Sequence, residues 1–98
     1  MARNTTITIA EGDWGQLTDA NVTNITFQLL TPGQRIYVKG TTDATEPTDL
    51  TGAALYTSNE GEANVALSDL FPGISAVRVW AFNDAEGVGS VKVFVSHA

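Results

Sequence analysis

The strongest constraint on this chain is a hydrophobic period of two. Ile7 and Ile9 alternate with Thr6 and Thr8, and Ile25, Phe27 and Leu29 with Thr26 and Gln28. Ile36 and Val38 alternate with Arg35, Tyr37 and Lys39. Val77, Val79 and Ala81 alternate with Arg78, Trp80 and Phe82, and Val91, Val93 and Val95 with Lys92, Phe94 and Ser96. Successive side chains of a strand point to opposite faces, so each run has one face for a core and one for the outside. Thr, Val, Ile and aromatic residues fill the runs, as strands prefer.

Turn residues separate the runs. Thr31-Pro32-Gly33-Gln34 suits a type II turn, with Pro presetting φ and Gly taking a positive φ. Residues 25–39 therefore read as a hairpin. The polar, Gly-rich segment 83–89 makes 76–96 a second one. Weaker strands fit Gly15–Thr18, Ala54–Thr57 and Ala63–Ala66, with Glu60-Gly61-Glu62 turning the chain between the last two. Leu67–Phe71 fits a single helical turn stopped by Pro72-Gly73, and 41–53 reads as a long surface loop. Seven to eight short strands in 98 residues form one domain, 1–98. The expected fold is all-β: a small antiparallel β-sandwich, jelly-roll or Greek-key like.

Composition narrows the function classes. Hydrophobic residues make up 43% and charged residues 16%, which excludes a disordered chain and leaves little charge for a free monomer. The formal net charge is −6, with five Lys+Arg against eleven Asp+Glu. That balance opposes binding to nucleic acid, which needs cations that displace phosphate counterions, and to anionic membrane surfaces. Cysteine is absent, which removes thiolate chemistry and Cys-based zinc sites. No apolar run approaches a membrane span, and Ala2-Arg3-Asn4-Thr5-Thr6 lacks the apolar stretch of a secretory signal. The expectation is a complete small gene product made in the cytosol, in which the sequons at Asn4, Asn21 and Asn24 stay idle.

Neither a catalytic group nor a cofactor or metal site is expected. The single histidine, His97, is next to last and reads as a solvated terminal residue. The acids cluster in loops: Glu11 with Asp13, Asp43 with Glu46 and Asp49, Glu60 with Glu62, Asp84 with Glu86. None has the ligand spacing of a calcium loop, and solvated loop acids are the plainer reading. Gly87-Val88-Gly89 lacks the Lys and the helix of a phosphate cradle.

The positive charges are more informative. Arg35, Lys39, Arg78 and Lys92 lie in strand runs, all on the parity opposite the aliphatic stripe. There they alternate with Tyr37, Trp80, Phe82 and Phe94. If these strands share a sheet, its outer face is basic and aromatic while the loop rims are acidic. Such a face is either an ordinary solvated surface, where cationic stems and rings cover one another, or a docking face, since interfaces favour aromatics and Arg. Base stacking on Trp80 and Tyr37 would meet the acid excess.

Four stretches carry a resemblance: Ile7-Thr8-Ile9-Ala10-Glu11-Gly12-Asp13-Trp14-Gly15-Gln16-Leu17-Thr18, Tyr37-Val38-Lys39-Gly40-Thr41-Thr42, Leu70-Phe71-Pro72-Gly73 and Val93-Phe94-Val95-Ser96-His97-Ala98. In layout they resemble small all-β virion proteins of tailed bacteriophages, several of which are capsid decoration or cement proteins. The resemblance implies a non-enzymatic protein, made in the host cytoplasm, that sits on the outer capsid surface and stabilises contacts between major capsid protein subunits. It also implies a homo-oligomer, with a trimer possible. The alternatives are a head fibre, a tail part, or a host-attachment component that stacks glycans on Trp14 or Trp80. A free carbohydrate-binding or calcium-dependent module is a further alternative.

Overall fold

A computed structural model describes residues 2–84 and 89–98. Eight strands form: β1 (Arg3–Ile9), β2 (Trp14–Gln16), β3 (Asn24–Leu29), β4 (Arg35–Thr41), β5 (Ala54–Thr57), β6 (Gly61–Ala66), β7 (Arg78–Asn83) and β8 (Val91–His97). One helical turn, α1 (Leu67–Leu70), follows β6 and ends before Pro72-Gly73. The chain is the all-β sandwich that the alternation predicts. Ala85, Glu86, Gly87 and Val88, the centre of the expected 83–89 loop, lie outside the described residues.

Two four-stranded antiparallel sheets make up the sandwich, in the orders β1-β8-β3-β6 and β2-β7-β4-β5. Each successive pair (β1 and β2, β3 and β4, β5 and β6, β7 and β8) puts one strand in each sheet. This is the rolled-up topology of a jelly roll. The two expected hairpins are therefore corrected. Residues 25–39 and 76–96 do not pair with themselves, because β3 and β4 lie in opposite sheets, as do β7 and β8. Gly33 takes the expected positive φ of 73°, but its turn carries the chain across the sandwich. Crossing lets the stripes Ile25–Leu29 and Ile36–Val38 be buried in one shared interior. Alternation alone is the same for both arrangements.

The interior is filled by the inward positions of both sheets. Phe27, Ile36, Val38, Val79, Val93 and Val95 are all fully buried. Each such aliphatic side chain contributes about 1.5–3 kcal/mol by leaving water. Polar groups close the rim. At the β1–β2 edge, the Arg3 guanidinium donates from Nη1 to the carbonyls of Gln16 (3.0 Å) and Leu17 (3.2 Å). Buried Asn83 donates from Nδ2 to the carbonyls of Ile9 (2.9 Å) and Gly89 (3.0 Å), tying β7 to β1 and to the start of β8. At the β5–β6 edge, the Tyr56 hydroxyl donates to Glu62 Oε2 at 3.0 Å, and its ring meets Phe27 edge-on at 5.0 Å. Gly61 allows this corner: a Cβ there would strike the Phe27 carbonyl oxygen.

His97 differs from its expected state. It is 8% exposed, on the inward parity of β8 opposite Arg3, with Nε2 3.3 Å from Asp19 Oδ1. Pairing with β1 holds β8 to its last residue, so position near the end of the sequence does not bring solvation here.

Two outcomes are expected. Ile36→Ala or Val93→Ala lowers unfolding free energy by about 1–4 kcal/mol in denaturant titrations. The Tyr56 hydroxyl is pushed up from 10.0 to about 12, first by burial and then by Glu62. The unfolded chain therefore loses this proton first. The stability contributed by neutral Tyr56 is complete below pH 10.0 and is lost as pH rises toward about 12. Tyr56→Phe should flatten the fall in stability across that window.

Candidate functional site

The outer face of the β2-β7-β4-β5 sheet carries the candidate site. Cross-strand register sets Trp14 opposite Phe82, Phe82 opposite Tyr37, and Tyr37 opposite Leu55. One row of large apolar side chains thus crosses all four strands. Residues directly opposite on antiparallel strands share a face, which makes the row contiguous. Trp14, Phe82 and Tyr37 are half-buried against one another, and Leu55 is 48% exposed. The Trp14 and Phe82 rings lie 5.1 Å apart at an interplanar angle of 52°. Such tilted pairs add about 0.5–1.5 kcal/mol beyond area burial.

The row is flanked by charges that are already paired. Arg35 grips Asp84 through Nε (3.0 Å) and Nη2 (2.9 Å) on the same carboxylate oxygen. Lys39 Nζ donates to Asp49 Oδ1 (3.0 Å) and to the Asp49 carbonyl (3.2 Å). The ammonium, helped by the Thr51 N–H, holds the Asp49 carboxyl below its ordinary range. Arg78 Nε donates to Asn21 Oδ1 at 2.8 Å. The expected basic character is thus corrected: loop acids Asp49 and Asp84 fold back and neutralise Lys39 and Arg35. What remains is an apolar row whose rim keeps Arg78, held by the neutral Asn21 amide, beside two paired cations.

Trp80 is corrected too. It lies on the outward parity between Gln16 and Lys39, yet it is only 5% exposed. Its indole N–H donates to Thr41 Oγ1 at 3.0 Å, and the Thr41 hydroxyl donates to the Asp43 carbonyl at 2.6 Å. Lys39, its neighbour on β4, is the anchor of Asp49. An outward side chain loses water only where chain lies over the sheet, and segment 42–53, with Pro47 buried, supplies that cover. Trp80 is a second, smaller core beneath the loop and no docking ring.

The eight expected interface residues also divide between two faces. Arg35, Tyr37, Lys39, Arg78, Trp80 and Phe82 share the outer face just described. Lys92 and Phe94 belong to β8 and point from the opposite sheet, where Phe94 stands between Thr6 and Gln28. Two members of the row, Trp14 and Leu55, were not among the expected docking residues. Trp14 had the sequence signal of an aromatic beside a turn; Leu55 had none, because only the β4–β5 register reveals its place.

Three loop acids serve local turns. Asp43 Oδ1 accepts from the Thr45 N–H, Asp49 Oδ1 from the Thr51 N–H, and Glu60 Oε1 from the Thr57 N–H at 2.7 Å. That last bond lowers the Glu60 pKa. Among the described residues, no three His, Asp or Glu side chains converge as a metal site. Comparison of the chain with protein-family models, with curated proteins and with solved structures returns no match.

Trp80→Ala should cost about 3 kcal/mol or more in unfolding free energy, as for a buried ring. Lys39→Ala should instead leave global unfolding nearly unchanged and speed amide exchange in 42–53. Equal exchange in both chains would contradict the loop anchor.

Proposed function

We propose that this chain is a non-enzymatic docking module, a capsid decoration protein that binds the outer shell of a bacteriophage head and stabilises contacts between major capsid subunits. The Trp14–Phe82–Tyr37–Leu55 row carries the proposal. It is apolar, spans the sheet and lacks charge at its centre, which is the composition that interface cores favour. The flanking pairs Arg35–Asp84 and Lys39–Asp49 form a polar rim. Binding that buries the row across a seam between two shell subunits would stabilise chain and shell together by mass action. The resemblance to phage virion proteins supports the shell as partner, and the row supports this face as the surface that meets it.

Glycan attachment is the other use of a sheet face lined with rings. A flat sugar platform needs coplanar rings, and the 52° tilt between Trp14 and Phe82 favours a protein partner with relief of its own.

The test mixes the purified chain with head shells assembled without it. The expected result is saturable binding of many copies over the shell, with a higher shell melting temperature. The double variant Tyr37→Ala, Leu55→Asp should weaken binding by about tenfold or more while the chain stays folded. Shells that do not bind, a variant that binds as well as the original, or a thermal response to oligosaccharides alone would refute the proposal.

A further inference from the structure

The sandwich has four sheet edges, and three are blunted. β2 is three residues long and β5 four. β6 pairs with β3 through a register shift, and its Asn64 takes a φ of 48°. Short strands and irregular backbone are the usual guards against edge-to-edge pairing. β1 has neither. It runs for seven residues in unbroken register with β8, from Arg3↔His97 to Ile9↔Val91.

The backbone groups on its free side can be assigned. Lys92 O accepts from the Leu30 N–H, and the Lys92 N–H donates to Thr31 Oγ1, so even-numbered residues of β8 face β3. Odd-numbered residues of β8 then face β1, and they pair with odd-numbered residues there. The N–H and C=O groups of Asn4, Thr6 and Thr8 therefore point away from the sheet. Among the described residues none of these groups has a partner.

Charge decides what can pair with this edge. The chain carries −6 overall, yet none of its acids lies in the first ten residues. β2 follows Glu11 and Asp13, and the β5–β6 corner holds Glu60 and Glu62. β1 itself carries no acid, so an antiparallel pair of β1 strands sets no acid opposite another. We infer that β1 pairs antiparallel with β1 of a second copy, joining two β1-β8-β3-β6 sheets into one continuous eight-stranded sheet. Centring the pair on Thr6 sets Thr6 opposite Thr6 and Asn4 opposite Thr8, so every outward group of the strand finds a mate. Arg3 then falls opposite Ile9 of the second copy, so no like charges face each other at either end of the seam. The dyad lies perpendicular to the sheet. Both aromatic rows stay open on the far side of the sandwich, so this pairing and shell docking are independent.

Thr6→Cys tests the register in a chain with no cysteine of its own. Opposite residues in such a pair have Cα atoms about 5.5 Å apart, within disulfide reach. Under oxidised glutathione Thr6→Cys should form a covalent dimer. Asn4→Cys and Thr8→Cys should each stay largely monomeric alone and cross-link when mixed. Ser75→Cys, exposed in the corner after α1, is the collision control. A second assay is sedimentation equilibrium, in which the unmodified chain should approach twice its 10.4 kDa mass. Thr6→Lys, with its circular dichroism unchanged, should raise the dimer Kd by about tenfold or more. Cross-linking of Thr6→Cys no faster than Ser75→Cys, or a chain that remains monomeric at about 1 mM, would overturn the pairing. Neither assay contains shells, so failure here leaves the docking proposal standing.

Discussion

Everything in this molecule follows from an aliphatic interior closed between two sheets. Val, Ile and Leu at alternate positions must leave water together, and 98 residues can enclose only one such volume. Rolling successive strands into opposite sheets places every apolar stripe against another stripe. The same requirement decides what is left outside. On the β2-β7-β4-β5 sheet the outward positions include four rings, Trp14, Tyr37, Trp80 and Phe82, and on the other they are mostly Thr, Asn and Gln.

The outer face and the β1 edge therefore offer different contacts. The aromatic row offers apolar relief beside Arg35 and Lys39, which already hold acidic partners, so docking there need not strip water from those two cations unpaired. The β1 edge offers backbone hydrogen bonds without acidic repulsion. One surface suits a foreign partner and the other a second copy. A pair joined through β1 would present two rows at once, and two linked sites bind a repeating surface more tightly than either alone.

Much of the fold was legible in the sequence. Ala54–Thr57 was bounded correctly as a strand, and the Leu67 turn ended where Pro72-Gly73 required. Partner choice was not legible, because Pro32-Gly33 serves a hairpin and a crossing between sheets equally well. The site was legible only in part. Parity assigned Tyr37, Phe82 and Arg35 to the outside correctly, since parity is a local property. It could not foresee that segment 42–53 would fold over Trp80, or that β8 would carry Phe94 to the other face. Both depend on contacts between residues far apart in sequence. The burial of His97 is illegible for the same reason: it depends on Arg3, Asp19 and the β1 ladder.

Hydroxyl-radical footprinting of the chain, free and bound to assembled shells, tests the central claim most directly, because aromatic side chains report their own solvent access. Binding should protect Trp14, Tyr37 and Phe82 from oxidation, leaving Phe94 as reactive as in the free chain and Trp80 slow in both states. Protection of Phe94 with the Trp14–Phe82–Tyr37 row still open would contradict the account.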